Sequence, residues 1–175
     1  LYPATLFALR TGCRLRNVVA LRWKHLVNDM TELRIDGSEM KSGEQFHVPL
    51  HAEAVALLKR LAKARLAKQH RAPGGETLVF GLEAASIAQP LARALKRAEL
   101  AEVDGRRVRF HDLRHTFASW CERHCTFAAV QKLLGHSPRS VTDRYVHLKM
   151  DELRAEVGKL PWIEPPAALS DTRQE

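Results

Sequence analysis

Apolar residues recur at helical spacing along most of this chain and at strand-like spacing in one short region. The clearest helical pattern covers residues 51–69, where Leu57 and Leu61 belong to an apolar stripe and the other face carries lysine and arginine. Weaker patterns of the same kind predict helices over residues 3–10, 15–21, 84–99, 112–122, 126–134, 140–147 and 151–159. Pro90 falls inside one of these stretches, so we expect it in the first turn of a helix.

Three short apolar runs, separated by turn residues, predict a small antiparallel sheet. The runs cover residues 26–27, 33–35 and 46–48. Turn residues stand between them at positions 28–29 and at 36–37 or 42–43. A further short strand is predicted over residues 78–80. The fold class predicted from the sequence is therefore α+β, mainly α-helical, with a small three-stranded antiparallel sheet.

A change in composition at Pro161 divides the chain into two parts. Residues 1–160 are numerous enough to form one domain with its own core. Residues 161–175 are rich in proline, alanine, serine and charge, and we expect a loosely ordered C-terminal tail. The chain starts at Leu1 rather than at a methionine, already within a helical pattern, and we expect it to be a fragment from which a preceding domain is missing.

The charge balance favours a polyanionic partner. Lysine and arginine number 28 against 20 aspartate and glutamate residues, which gives a formal charge of +8 and a pI near 9.8. Such a surface suits nucleic acid or an anionic membrane. No apolar run reaches the ~20 residues of a membrane span, and no signal peptide opens the chain. Three cysteines without framework spacing indicate a reducing, cytoplasmic compartment.

One group of side chains points to phosphate chemistry. His111 and Arg114 lie three residues apart on one helical face, His136 follows a helix-stopping glycine, and Tyr145 comes nine residues later. Cationic side chains are unfavourable to cluster unless an anion is present. An arginine fork binds phosphate oxygens, histidine moves protons and tyrosine can attack phosphorus. Core packing accounts for none of these residues.

Two upstream segments complete the set. Arg14 follows the helix-ending Gly12, in the string Thr11-Gly12-Cys13-Arg14-Leu15-Arg16-Asn17-Val18-Val19-Ala20-Leu21-Arg22-Trp23. Lys41 lies between the second and third predicted strands, in Met40-Lys41-Ser42-Gly43-Glu44. Each alone is an ordinary surface cation. Together with the downstream residues, these strings resemble the tyrosine recombinase (phage-type integrase) family over about residues 1–150.

The resemblance implies a role for each member of the set. The family's six active-site positions are filled by Arg14, Lys41, His111, Arg114, His136 and Tyr145. Arg14, Arg114 and His136 would hold the scissile phosphate. Tyr145 would be the nucleophile, Lys41 would protonate the leaving oxygen, and His111 would assist proton transfer at the tyrosine.

The resemblance also implies what the protein does. Members of the family exchange strands of double-stranded DNA through a 3′-phosphotyrosyl intermediate, with no metal and no nucleotide cofactor. We therefore expect a catalytic domain over residues 1–160, from a bacterial or phage-encoded integrase of prophage type acting in the cytoplasm. The N-terminal DNA-binding domain that normally precedes it is expected to be absent from this chain. We further expect self-association as a tetramer on DNA through residues 148–160.

Two further positions, Asn17 and His115, lie close in sequence to members of this set. The family usually has an acidic residue three positions after its first active-site arginine, where this chain has Asn17, whose amide can still accept a hydrogen bond. His115, beside Arg114, is interpreted as a structural neighbour rather than a catalyst.

Several alternatives stay open. A type IB topoisomerase-like enzyme shares the chemistry but has no defined site, and a DNA-binding module that has lost catalysis would keep only the affinity. Cys121, His124 and Cys125, with His115 earlier, are a weak match to zinc-ligand spacing. The basic face of residues 51–69 either is solvated or faces phosphate. Residues 148–160 either dock on a neighbouring subunit or fold back on their own core.

Overall fold

The computed structural model describes residues 1–40, 43–135 and 148–161. Each stretch predicted to be helical within those ranges contains a helix, which is shorter than predicted in two of them. The helices are α1 (Tyr2–Thr11), α2 (Leu15–Val19), α3 (Ala52–Gln69), α4 (Ala88–Arg97), α5 (Asp112–His124), α6 (Phe127–Leu134) and α7 (Met150–Gly158). The helix predicted over residues 140–147 lies outside the described residues. No helix within the described ranges is long and apolar enough to cross a membrane.

The predicted three-stranded sheet is confirmed. Its strands are β1 (Leu26–Val27), β2 (Glu32–Ile35) and β3 (Phe46–Pro49), antiparallel in the order β1-β2-β3. Leu33 pairs with Val48 and Ile35 pairs with Phe46, and all four side chains are buried. This two-residue alternation places one face of the sheet on the core.

Three predicted elements differ in the structure. Residues 78–80 do not form a strand: Leu78 makes one isolated bridge to Arg22, and the chain turns at Gly81, which has a φ of 59°. The helix predicted over 84–99 is a 3-10 turn (Ala84–Ser86) followed by α4, in whose first turn Pro90 lies, as expected. The helix predicted over 15–21 is shorter, because the backbone of Leu21 turns to accept the Val79 N–H at 2.8 Å.

A second small hairpin was not predicted. β4 (Glu102–Val103) and β5 (Arg106–Arg107) pair across the Asp104-Gly105 turn, and both strands are exposed. Strands of two exposed residues carry no apolar alternation, so the sequence gives no strand signal there.

The core surrounds α1. Ala4, Phe7 and Ala8 are completely buried, and α1 packs against α3 on one side and α5 on the other. A hydrophobic helix with buried residues on several sides is expected at the centre of a helical domain. Its C-terminal end leads directly into Arg14, so the packing of α1 positions the first candidate residue.

The C-terminal helix packs on the chain's own core. Leu153, Val157 and Leu160 are buried, and α7 contacts β3 and α6. The apolar face predicted for this segment is therefore covered within the subunit.

Polar contacts also hold α7 in place. Arg154 of α7 donates to Oε1 of the buried Glu32 on β2 at 2.6 Å. The Glu156 carboxylate accepts the Thr126 N–H, at the start of α6, at 2.5 Å. Charged side chains of α7 thus bind two other elements, β2 and the start of α6.

A buried arginine fixes the end of the same segment. Arg10, at the C-terminal end of α1, is 1% exposed and forms an ion pair with Glu53 of α3. Its Nη1 donates to the Pro161 carbonyl at 2.7 Å, and its guanidinium lies 5.2 Å from the Trp120 ring centroid. A buried charge of this kind is tolerated only with such partners.

Candidate active site

A left-handed glycine places Arg14 at the start of α2. Gly12 ends α1 with a φ of 63°, and its N–H donates to the Ala8 carbonyl at 2.9 Å. A Cβ at this position would lie 2.5 Å from Phe117 of α5, so only glycine fits. Arg14 follows as the N-cap residue of α2. Its side chain is exposed and makes no hydrogen bond to any other described residue.

Arg114 lies half-buried on α5 and joins two other parts of the chain. Its Nη1 donates to the Gly12 carbonyl at 2.7 Å, and its Nη2 donates to the Leu134 carbonyl at 2.6 Å. Gly12 precedes Arg14 by two residues, and Leu134 precedes His136 by two residues. The guanidinium thus ties together the chain segments that carry two other candidates.

The two arginines are close enough to influence each other. Burial lowers the pKa of Arg114, and the positive charge of Arg14 lowers it further. Two like charges therefore lie near each other. An anion between them would relieve that repulsion.

The sheet meets the end of α6 at a second left-handed glycine. Gly135 ends α6 with a φ of 59°, and a Cβ built there would lie 3.0 Å from the Phe46 ring of β3. Phe46 comes shortly after the connection that carries Lys41, and Gly135 directly precedes His136. Gly135, next to His136, and Phe46, just after the connection that carries Lys41, therefore lie in contact.

The β2–β3 connection is also anchored near α2. Asn17 Nδ2 lies 3.9 Å from Met40 Sδ, next to Lys41 in sequence. The Asn17 side chain therefore faces this connection. Its backbone N–H donates to the Arg14 carbonyl at 2.9 Å, but no side-chain hydrogen bond joins the two residues within the described ranges. The neighbouring turn is bound through Glu39, whose carboxylate lies 3.2 Å from His25 Nε2. Desolvation acts to raise the pKa of Glu39, but His25 and Lys24 outweigh it and the pKa is lowered.

His111 stands at the entrance to α5. It is the N-cap residue of that helix and its side chain is exposed. Its ring meets the exposed His115 ring edge-on, with centroids 4.9 Å apart. His115 therefore contacts His111 directly, which agrees with its interpretation as a neighbour.

The described part of the chain contains three of the six candidate residues. Lys41, His136 and Tyr145 lie outside the described residues. Of the remaining three, Arg14 and Arg114 are brought together, and His111 lies one helical turn from Arg114.

The zinc alternative finds no support in the part of the chain that the structure describes. No three His, Cys, Asp or Glu side chains converge there in a way that could hold a metal ion. Cys125 instead donates to the Glu156 carbonyl at 3.4 Å, and burial raises the pKa of Cys121. Cys125 thus joins the end of α5 to α7, and Cys121 is completely buried in the core.

Sequence reasoning missed Phe46 and Met40 as neighbours of the site. Phe46 was assigned only to a strand, and Met40 only to the flank of Lys41. Nothing in a strand pattern shows which helix end will pack on it. The glycine at 135 was the available signal, because a left-handed residue with a close neighbour excludes any Cβ.

Comparison with known proteins shows the family of this chain. The family model described as "Phage integrase family" matches residues 1–152. The chain belongs to that family. The tyrosine recombinase XerC of Xanthomonas campestris pv. campestris (strain B100) is 34% identical over 148 residues, which is 82% of this chain and 42% of XerC. The chain spans about two fifths of the length of the curated relatives it matches.

Solved structures of integrases share the fold. The integrase from mycobacterium phage Brujita superposes with a TM-score of 0.62 at 18% identity, over 99% of this chain and 56% of that chain. The Tn1549 transposon integrase, in complex with transposon right end DNA, gives a TM-score of 0.56 at 21% identity, over 89% of this chain and 57% of that chain. The predicted fold class, a mainly helical domain with a small three-stranded sheet, is confirmed.

Proposed function

We propose that this chain is the catalytic domain of a site-specific DNA recombinase that cleaves and rejoins DNA through Tyr145. The observation that carries the proposal is the contact of Arg114 with the Gly12 carbonyl at 2.7 Å, which brings its guanidinium to the segment that carries Arg14. A scissile phosphate would supply the missing negative charge. The family membership and the net charge of +8 support DNA as the partner.

The reaction balances without a cofactor. The Tyr145 oxygen attacks phosphorus, its proton passes toward His111, and the bond from phosphorus to the 5′ oxygen breaks. Lys41 gives that oxygen a proton, which leaves a 5′-hydroxyl and a 3′-phosphotyrosyl bond. Attack by a 5′-hydroxyl of another strand reverses each step. The energy of the original bond is kept in the covalent link, so no nucleotide is consumed.

The cations stabilise charge as it develops on the phosphate. Arg14, Arg114 and His136 would donate to the non-bridging oxygens. Arg114 has five N–H groups, of which two are used by the carbonyls of Gly12 and Leu134. The other three make no hydrogen bond to a described residue and would be available to an anion. The carbonyl contacts hold the guanidinium plane before DNA arrives, so little reorganisation is needed in the reaction.

Covalent trapping tests the nucleophile. We expect the chain, incubated at low salt with a nicked suicide duplex, to form a denaturant-resistant adduct whose peptide maps to Tyr145. Tyr145→Phe should form none, since the reacting oxygen is absent. Tyr2→Phe is the matched control, because Tyr2 is the second of the chain's two tyrosines, and should leave trapping intact. An adduct in Tyr145→Phe would sink the assignment.

The choice of DNA separates recombination from related activities. Adduct formed only on an attachment sequence indicates a site-specific integrase of prophage type or a chromosomal recombinase. Relaxation of any supercoiled plasmid would indicate topoisomerase-like chemistry. Binding without an adduct, even with the complete protein, would indicate a module that has lost catalysis. Assembly of four copies on DNA stays a prediction, which the mass of the complex on a duplex attachment site would test.

A further inference from the structure

The outward face of α3 carries positive charge without acidic partners. Six lysine and arginine residues lie between Ala54 and Gly75, and no aspartate or glutamate does. Exposed helices usually pair such cations with acids one turn away. We infer that this face is a second DNA-binding surface, for a duplex other than the one at the candidate site. The face consists of the exposed residues Ala52, Ala56, Lys59, Arg60, Lys63 and Ala67.

Two cations in the middle of the outward face have no partner. Arg60 and Lys63 make no hydrogen bond or ion pair to another described residue, whereas Lys59 forms an ion pair with Asp29. Lys63 follows Lys59 by four residues and Arg60 by three, so three like charges are neighbours on one helical face. Their repulsion destabilises the helix, and a bound polyanion would offset it.

The sheet places this face away from the candidate site. Lys59 binds Asp29 in the β1–β2 turn, and Lys63 lines a depression together with Met30 of the same turn. The connection that carries Lys41 follows the opposite end of β2. β2 separates the two ends by four residues, or about 13 Å. The outward face therefore lies at the end of the sheet that is remote from the candidate site.

The start of α3 is displaced from the site as well. Glu53, in the first turn of α3, forms an ion pair with Arg10, whose guanidinium lies 5.2 Å from the Trp120 ring centroid. Trp120 is six residues along α5 from Arg114, which corresponds to about 9 Å. A duplex held by Arg114 therefore leaves the outward face of α3 open to another duplex.

The shape of the face suits a sugar–phosphate backbone. Ala56 and Ala67 are exposed between the cations, and their methyl groups let phosphates come close to the helix. The long side chains of lysine and arginine can then reach phosphates on either side. From Lys59 to Lys68 the helix extends about 14 Å, which matches about four phosphates along one DNA strand.

An anionic membrane is the other large polyanion, and the apolar side of α3 argues against it. Helices that bind membranes insert a face of large apolar side chains. In α3, Leu57 and Leu58 are buried in the protein's own core and Leu61 is half-buried against it. This packing leaves Leu66, which is 48% exposed, to insert. Binding to DNA requires only the cations.

Capture of a second duplex tests the inference. A duplex of arbitrary sequence is attached sparsely to beads and loaded with the chain at about 50 mM salt, and a fluorescent duplex is then added. We expect fluorescence to be retained in proportion to the bound protein. Arg60→Gln combined with Lys63→Gln should lower the retained fluorescence about tenfold, since two phosphate contacts are lost. Circular dichroism checks that the variant is folded.

The matched control combines Arg34→Gln with Arg123→Gln. Both arginines are exposed, on β2 and α5, so the control removes the same charge outside α3. It should capture the second duplex as the unaltered chain does. An equal loss in both variants would reduce the effect to net charge and overturn the inference.

Three further results would also overturn it. Bound protein that retains no fluorescent duplex would show that the face takes no DNA. Equal capture by all three proteins would mean that associated copies, each with one duplex, bridge the DNA. Sedimentation with phosphatidylserine vesicles that requires Arg60 and Lys63, without capture of a duplex, would make a membrane the partner.

The first duplex is held at the candidate site, and to that extent the inference rests on the proposed function. Cleavage is measured separately, through the Tyr145 adduct. An intact adduct without second-duplex capture would overturn this inference alone. An absent adduct, with capture that still requires Arg60 and Lys63, would overturn the proposed chemistry alone.

Discussion

Arg114 combines a structural and a proposed catalytic role in one side chain. Two of its N–H groups bind the carbonyls of Gly12 and Leu134, and both of those residues are buried. A lysine has one nitrogen and no fork, so it cannot reach both carbonyls and a phosphate at once. The site and the packing of α1, α5 and α6 therefore depend on the same group.

Arg114→Lys should lower both activity and stability. We expect cleavage to slow by about 100–1000-fold, as for the loss of one preorganised donor. The free energy of unfolding should fall by about 1–3 kcal/mol, because a buried carbonyl loses its partner. Single-turnover cleavage of nicked DNA measures the first effect and urea unfolding measures the second.

The matched control is Arg16→Lys. Arg16 is an exposed arginine of α2, two residues after Arg14. Its replacement should leave the free energy of unfolding unchanged. If Arg114→Lys were as stable as Arg16→Lys, the two carbonyl contacts would not contribute to folding.

At the scale of elements, the position of α7 depends on a buried carboxylate. Glu32 of β2 is 3% exposed and is bound by Arg154 at 2.6 Å and by His47 at 2.8 Å. Burial acts to raise the pKa of Glu32, but hydrogen bonds from Asn28 and His47 and the charge of Arg154 outweigh it. The pKa of Glu32 is therefore lowered, and its ionised form stabilises the folded state.

Glu32→Gln should destabilise the protein in a manner that depends on pH. Because the folded pKa is lowered, the contribution is complete above the ordinary glutamate pKa of about 4.3 and is lost as pH falls through the folded value. We expect a deficit of about 1.5–3 kcal/mol at pH 7, the usual size for hydrogen bonds to a charged group. Urea unfolding from pH 7 to pH 3 measures it.

Glu102→Gln serves as the control for that series, since Glu102 is exposed on β4. Its deficit should be close to zero at every pH. A Glu32→Gln deficit that stayed constant down to pH 3 would contradict the assigned lowering of the pKa.

The elements that the sequence predicted well are those whose pattern is set by one buried face. Leu33 and Ile35 alternate on the core face of β2, and the α3 stripe repeats at helical spacing. The apolar run at residues 78–80 wrongly predicted a strand. Val79 is buried, but its N–H donates a single hydrogen bond to the Leu21 carbonyl. Burial of an apolar run does not require a ladder of hydrogen bonds on both sides.

The candidate site was predictable as a set of residues but not as a geometry. Spacing placed His111 and Arg114 on one helix, whereas the meeting of Arg114 with the Arg14 segment depends on how α1 packs on α5. Asn17 shows the same limit, since its contact with Met40 joins elements more than twenty residues apart. Such contacts arise from tertiary packing and leave no periodic signal.

On the scale of the whole molecule, positive charge is distributed well beyond the candidate site. Arg93 of α4 and Arg106 and Arg107 of β5 are all exposed, and so are several cations of α3. Long-range attraction to DNA adds over these groups, while specificity requires contacts to base edges. The chain should therefore bind DNA of any sequence through phosphates.

DNA affinity should depend steeply on salt. If about five phosphates are neutralised, the slope of log K against log salt is about −4.5, and affinity falls about 500-fold between 50 and 200 mM salt. Fluorescence anisotropy with a labelled duplex of arbitrary sequence measures the slope. Arg106→Gln combined with Arg107→Gln should make the slope shallower by up to about two. A slope near zero would mean that phosphate contacts do not drive binding.

The fixed positions on either side of residues 136–147, Gly135 before them and Leu148 with α7 after them, have a consequence for engineering. Gly135 is fixed against Phe46 and by the Arg114 contact to Leu134, while Leu148 packs on the core just before the firmly held α7. Residues 136–147 thus join two points whose positions are set by the rest of the fold. We expect that this stretch can be exchanged for the matching stretch of a relative such as XerC without redesign of either junction. Chimeras of this kind would separate what residues 136–147, with the proposed nucleophile Tyr145, contribute to reaction rate from what the rest of the domain contributes to the choice of DNA.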